Sequence, residues 1–333
     1  LPVKIELSYS ARRRQEADRA AALSPERNRG AIMSYVAPGA PQSIGGILDD
    51  WLRLFRESFR SCWVLALIGA LANAYQEFRL IPRLPASSQS LEHYFAQLGT
   101  AYRAPDVFLT DLVFWLLLLV LYGALVVQQL TLMRGGLPGS VGAALSASLS
   151  RLPQMLLGVV LLVLIEGGLG GLIGFSSLVL IPVYRSAALA AGIGLLILAL
   201  VVVILYVSVR VQFWLVALFD ADCGGAAAIG RSWRLVKGHW WHTTGIMFVA
   251  GIVIWILGLA VGVIAGVLAS WFTVTGGALG AVSHLRVIAA VAALARVLSM
   301  PLLTAAWLAI YHDLKLRREG ADLAARTEAL GGG

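Results

Sequence analysis

The sequence predicts an all-α integral membrane protein, and three observations carry that expectation. Of its 333 residues, 59% are hydrophobic and 13% charged, where ordinary globular domains have about 45–50% and about 25%. The mean hydropathy of +0.82 means more apolar surface than one water-soluble core can hide. Apolar runs such as Leu116–Leu121 are continuous, whereas barrel strands would alternate over about ten residues, so the spanning elements are helices.

The elements follow in chain order. Residues 1–32 are polar and charged and lack an apolar signal core. They are read as a disordered leader or extension, with Met33 as the natural start. Residues 33–60 form an N-terminal interfacial segment: Leu48, Trp51, Leu52, Phe55 and Phe59 share one helical stripe, and Asp49, Asp50, Arg53, Arg56, Glu57 and Arg60 occupy the rest. That pattern suits a helix lying at the headgroups.

Crossing the hydrocarbon layer takes about 20 apolar residues at about 1.5 Å each. Six stretches within 61–314 qualify once tilt is allowed: 61–80, 107–132, 153–175, 187–219, 243–273 and 287–311. The first is the weakest, because its apolar run from Cys62 to Tyr75 closes on Gln76, Glu77 and Arg79. Between the first two, Leu91, Tyr94, Phe95 and Leu98, with His93 among them, define a short amphipathic helix expected to cap the outer side. Residues 315–333 are read as a cytoplasmic tail.

A weak repeat runs through this plan. RLFRESF at Arg53, RLPQMLL at Arg151 and RLVKGHW at Arg234 precede the first, third and fifth stretches, at offsets of 98 and 83 residues. Each has a small residue about eight positions upstream (Gly45, Ala143 and Ala226). The expectation is three units, each an interfacial helix followed by two spans.

The net charge of +8 raises the question of nucleic acid, and the location of the charges answers it. Of 26 Lys and Arg, 19 lie before the first stretch, in the 134–151 and 231–237 loops and in the tail. Five lie in the alternate segments and two inside spans. This asymmetry follows the positive-inside rule for six spans with both termini cytoplasmic. The charge is topological, so membrane lipids are the expected partners and nucleic acid is not. Cys62 and Cys223 fall at the cytoplasmic edge in this topology and are expected to remain reduced.

Two motifs point further. The segment Ala228-Ile229-Gly230-Arg231-Ser232-Trp233-Arg234-Leu235-Val236-Lys237-Gly238 precedes the fifth stretch, and Tyr311-His312-Asp313-Leu314-Lys315-Leu316-Arg317-Arg318-Glu319-Gly320-Ala321-Asp322-Leu323 follows the last. Together they resemble the bacterial membrane domain found in glycerophosphoryl diester phosphodiesterases and in many stand-alone proteins, over roughly residues 40 to 323. The resemblance implies that family's fold and a bacterial inner-membrane location. It does not bring the phosphodiesterase activity, which in such enzymes belongs to a separate soluble barrel of about 250 residues.

Ionisable residues inside spans are costly and often functional. Glu166 and Arg296 are expected to meet as a buried pair, either gating a path or binding a headgroup, or serving only to hold helices in register. Arg210 either grips a phosphate or snorkels to the interface. Gly258, Gly262, Gly266 and Ser270 recur every four residues, a small-residue face expected to pack within the chain rather than between copies. Gly167, Gly168, Gly170, Gly171 and Gly174 crowd the residues after Glu166 and invite a kink or close packing. His239 and His242 flank two tryptophans, a weak metal signal without a nearby carboxylate or cysteine. No glycine-rich phosphate loop, nucleophile turn or carboxylate pair is found, so no catalytic residue, metal or cofactor is expected.

The resulting expectation is a non-enzymatic inner-membrane protein that binds, moves or senses lipid or another amphiphile. Arg53, Arg56, Arg231, Arg234 and Lys237 would meet anionic headgroups, with Trp233, Trp240 and Trp241 at the same level. The alternative is a scaffold or assembly factor that docks a protein partner through its cytoplasmic motifs.

Overall fold

The structure is a computed structural model that describes residues 35–80, 105–180 and 187–331. Side chains are described for 35–79, 107–174, 191–271, 286–318 and 320. The chain divides into two units, Leu1–Val36 and Ala37–Gly333. Of the first, only the non-helical Tyr35 and Val36 are described; the leader expected over 1–32 and the outer helix around His93 lie outside the described residues. The rest concerns the second unit.

Every described element is helical: α1 (Ile44–Leu80), α2 (Pro105–Met133), α3 (Val141–Ser150), α4 (Leu152–Leu162), a π-helical turn (Val163–Gly167), α5 (Gly168–Leu180), α6 (Ala187–Val211), α7 (Trp214–Asp220), α8 (Gly225–Val236) and α9 (Trp240–Gly331). Five segments are long and apolar enough to cross a membrane: Val107–Met133, Leu152–Gly174, Ala191–Asp220, Trp240–Trp271 and Arg286–Arg318. This is the architecture of a multi-pass membrane protein. These segments match the last five expected stretches to within a few residues. The stretch 61–80 is absent from the five because its uncharged part, residues 61–76, is short and includes Asn73 and Gln76, with Arg60 before it and Glu77 and Arg79 after it.

Local chemistry sets the helix ends. Ser43 Oγ accepts from the Gly46 amide to open α1, and Ser140 caps α3 through the Ala143 amide, satisfying donors that a first turn leaves free. Gly238, at φ +91°, follows α8 in the left-handed conformation that glycine adopts without strain. There the chain turns into α9. Helical backbone continues from Trp240 to Gly331, yet His242 Nε2 lies 3.4 Å from Asp313 Oδ2. A straight helix would hold that pair about 100 Å apart at about 1.5 Å per residue, so the chain reverses between the two apolar segments of α9.

α1 traverses the bundle against α2 and the returning half of α9. Gln129 Nε2 reaches Ser58 Oγ at 3.3 Å, and Gln76 Nε2 reaches Asp111 Oδ1 at 2.8 Å, so α1 and α2 are antiparallel. Cys62, Leu65, Ala66, Leu121, Leu125 and Met300 form the main core between these helices. Gln129 also donates to the Pro301 carbonyl at 2.8 Å, and the Trp51 indole donates to Leu302 at 2.7 Å. In lipid, such interhelical bonds and close packing hold helices together, because the solvent is as apolar as the core.

Three expectations need correction here. The buried stripe of α1 is Ile47, Trp51, Leu54, Ser58, Cys62 and Leu65, while Leu52 is exposed and Asp50 buried. The segment expected to end at 60 continues unbroken into the apolar stretch, and contact with α2 and α9, not the interface, sets which face is covered. Arg296 pairs with Glu77 at 2.6 Å, not with Glu166, because the returning half of α9 packs on α1. Lastly, among the described residues a Cβ added at Gly258, Gly262 or Gly266 would have nothing within 4 Å, so the packing expected of that face is not seen among them. Among the described residues nothing covers that glycine face, and Ser270 Oγ donates to the Val267 carbonyl of its own helix at 2.7 Å.

Candidate functional site

Two charged knots tie the helix ends where the Lys and Arg concentrate. Asp220, at the end of α7, has a side chain only 8% exposed. It accepts from Arg134 Nη2 at 3.0 Å, Lys315 Nζ at 3.0 Å and Tyr311 Oη at 2.9 Å, with Arg231 Nη2 at 4.0 Å. Burial works against charge on Arg231, but Tyr311 and Asp220 outweigh it and hold its pKa above the usual arginine value. Asp313 forms the second knot, accepting from Arg317 Nε at 2.7 Å and from the Gln42 amide at 2.8 Å. Arg317 also donates to the Gln42 carbonyl, and Arg318 to that of Arg234. Buried carboxylates persist only when paired in this way.

Beside the knots lies an aromatic cluster. Ser232 Oγ donates to the Arg210 carbonyl at 2.7 Å and accepts from the Phe213 amide at 3.2 Å, bridging the break between α6 and α7. This bond fixes α8 against α6 and brings Trp233 over Arg210. The Arg210 guanidinium sits 4.6 Å from the ring centroids of both Tyr206 and Trp233, in the corner that these two rings form with their planes at 90°, a cation–π contact with each. Trp240 lies 5.7 Å from Tyr206 and 4.6 Å from Trp241. Arg210 has no carboxylate partner among the described residues. Its Nε and the Trp240 Nε1 are buried donors without an acceptor among the described residues, and Trp241 is 81% exposed.

No family model matches the chain, and neither a curated protein nor a solved structure does. The functional reading therefore rests on geometry.

The structure sorts the expected headgroup residues. Arg231 is drawn inward to Asp220 and Tyr311, so it is not the free surface cation expected of it: α8 presents it toward the end of α7. Arg53, Arg56, Arg234 and Lys237 are exposed, and their side chains form no ion pair among the described residues. Arg210, Trp233, Trp240 and Trp241 come together in one cluster, which Arg53 and Arg56 on α1 do not join.

Glu166 sits in the π-helical turn and lines a groove of about 230 Å³. Tyr122, Trp214 and Trp307 supply aromatic walls, Gln212 a second polar group, and leucine and valine side chains the rest. Glu166 forms no hydrogen bond or ion pair among the described residues. Sequence reading did not find this groove, since its lining comes from α2, α4, the α6–α7 break and α9. Asp220 also went unnoticed, its one signal being an acid closing an otherwise apolar run.

Proposed function

We propose that the chain is a non-enzymatic protein of the bacterial inner membrane that binds, moves or senses an anionic lipid or similar amphiphile at the cytoplasmic headgroups. It would have six spans, with α1 as the first, both termini in the cytoplasm, and three repeated units of interfacial helix plus two spans. The motifs around Arg231–Gly238 and Tyr311–Leu323 favour kinship with the membrane domain of glycerophosphoryl diester phosphodiesterases, without its catalytic barrel.

The observation that carries the lipid reading is Arg210. A guanidinium held against two rings, beside a second buried donor on Trp240 and without a counter-ion among the described residues, is preorganised for a phosphate or carboxylate oxygen. Exposed Arg234 and Lys237 nearby add a favourable field for anionic headgroups. The scaffold alternative would use Arg231, Tyr311 and Asp313 to read a partner, but these side chains are engaged within the chain, which favours lipid.

Native mass spectrometry of the gently solubilised protein tests the proposal. Anionic phospholipid should be retained by the wild type, lost in Arg210→Ala, and only reduced in the Arg234→Ala/Lys237→Ala double variant. An unchanged lipid complement in Arg210→Ala would overturn it.

A further inference from the structure

We infer that the groove around Glu166 is a second site, which takes the head of an amphiphilic organic ammonium. The inference rests on the reading that this chain holds amphiphiles, but it requires the opposite headgroup charge from the Arg210 cluster.

Three independent features converge on that chemistry. The first is the carboxylate itself. An ionisable group within an apolar segment is retained only where something compensates it, yet Glu166 has no partner among the described residues. An anionic headgroup would be repelled there, and a cation attracted.

The second is the wall. Tyr122 and Trp307 stand 6.1 Å apart with their ring planes inclined by 39°. Trp214 is fixed against α4, its Cζ3 only 2.4 Å from where a Cβ would sit on Gly158. Three aromatic side chains lining one groove with a carboxylate suit an organic ammonium, attracted by the rings and the charge together. A small hydrated metal ion would need several oxygen ligands, whereas the groove offers Glu166 and Gln212 as its polar side chains near those rings.

The third is the backbone. The π-helical turn Val163–Gly167 widens one turn of the α4–α5 segment, a departure from regular helix that re-aims side chains and recurs at functional sites. Among the described residues, a Cβ at Gly168, Gly170, Gly171 or Gly174, the glycines after it, would meet nothing within 4 Å. A volume of about 230 Å³ admits a small head and not a whole lipid, so the hydrocarbon tail would lie in the surrounding bilayer.

The test titrates the full chain in an uncharged detergent with dodecyltrimethylammonium, with dodecanol as the neutral control, and counts bound ligand by native mass spectrometry. The wild type should bind the ammonium and prefer it to the alcohol by roughly tenfold or more, the scale of one desolvated charge contact. Glu166→Gln keeps the side-chain shape and should abolish that preference. Trp307→Leu should weaken ammonium binding several-fold. Equal binding of ammonium and alcohol by the wild type, or undiminished ammonium preference in a folded Glu166→Gln, would overturn the inference. A repeat in phosphatidylglycerol nanodiscs, whose headgroups carry no ammonium, with added phosphatidylethanolamine separates sources: competition assigns the site to a lipid headgroup, and its absence to a free amphiphile. Arg210→Ala should leave ammonium binding unchanged, so loss or survival of the anionic-lipid reading is scored separately from this one.

Discussion

Asp220 shows how much of this molecule depends on single buried charges. Its carboxylate is nearly closed to solvent and takes hydrogen bonds from Arg134, Lys315 and Tyr311. Asp220→Asn removes the charge and leaves those donors short of an acceptor. We expect a loss of about 1.5–3 kcal/mol, the range for hydrogen bonds to charged groups, read as a lower midpoint of thermal unfolding in detergent. Tyr311→Phe deletes one donor and should cost about 1 kcal/mol. Arg134→Ala should cost about 0–1 kcal/mol, because the Arg134 side chain is 55% exposed. The sequence made the cluster half legible. Trp233, Trp240, Trp241 and Arg210 were readable because indoles and arginines near span ends have few other uses. Asp220 was not, since nothing local says that Lys315, some 95 residues on, will reach it. Glu166 and Arg296 failed as a pair for a related reason: position along a span gives depth, and neither azimuth nor neighbour.

At the scale of elements, the small residues that matter for packing are not those with the clearest spacing. Gly258, Gly262 and Gly266 recur every four residues and meet no neighbour among the described residues, whereas Gly158 and Gly225 stand in close contact. A Cβ on Gly225 would sit 2.2 Å from the Gln154 carbonyl oxygen, where α8 meets α4 and no side chain can yield. Gly225→Ala should therefore destabilise the fold by about 1–3 kcal/mol, as overpacking does. Gly158→Ala should do likewise, through Trp214. Gly258→Ala and Gly262→Ala should leave the unfolding midpoint unchanged in detergent-solubilised monomer. A midpoint drop in the second pair matching the first would mean that α9 packs its glycine face in a way the single chain does not show. Periodicity puts these residues on one side of the helix and cannot say what lies against it. In α1 it misjudged the covered face by about one residue, because an interface-lying helix and a bundle helix bury different sides of the same sequence.

The path of α1 decides the topology of the whole molecule. Its hydropathy alone would leave five crossings and put the two ends of the described chain on opposite sides of the membrane. The proposed sixth crossing would be α1: Gln42 and Asp313 meet at one end of it, while Gln76 and Asp111 meet at the other, so α1 runs alongside α2. Its polar positions are tolerable because they have partners there, Gln76 with Asp111 and Glu77 with Arg296, and paired groups cost far less in lipid than free ones. Single cysteines in a Cys62→Ala/Cys223→Ala background measure the outcome. Gly39 and Gly320 are exposed, and Gly39→Cys and Gly320→Cys should be labelled by a membrane-impermeant maleimide from the same side of sealed vesicles. Ser88→Cys, in the segment after α1, should be labelled only from the other side. Labelling of Gly39→Cys and Ser88→Cys from one side would return α1 to the interface and leave five spans. With six, inverted vesicles should expose Gly39 and Gly320 and intact cells only Ser88, because the lysines and arginines that flank the short loops at the Gly39 end resist translocation.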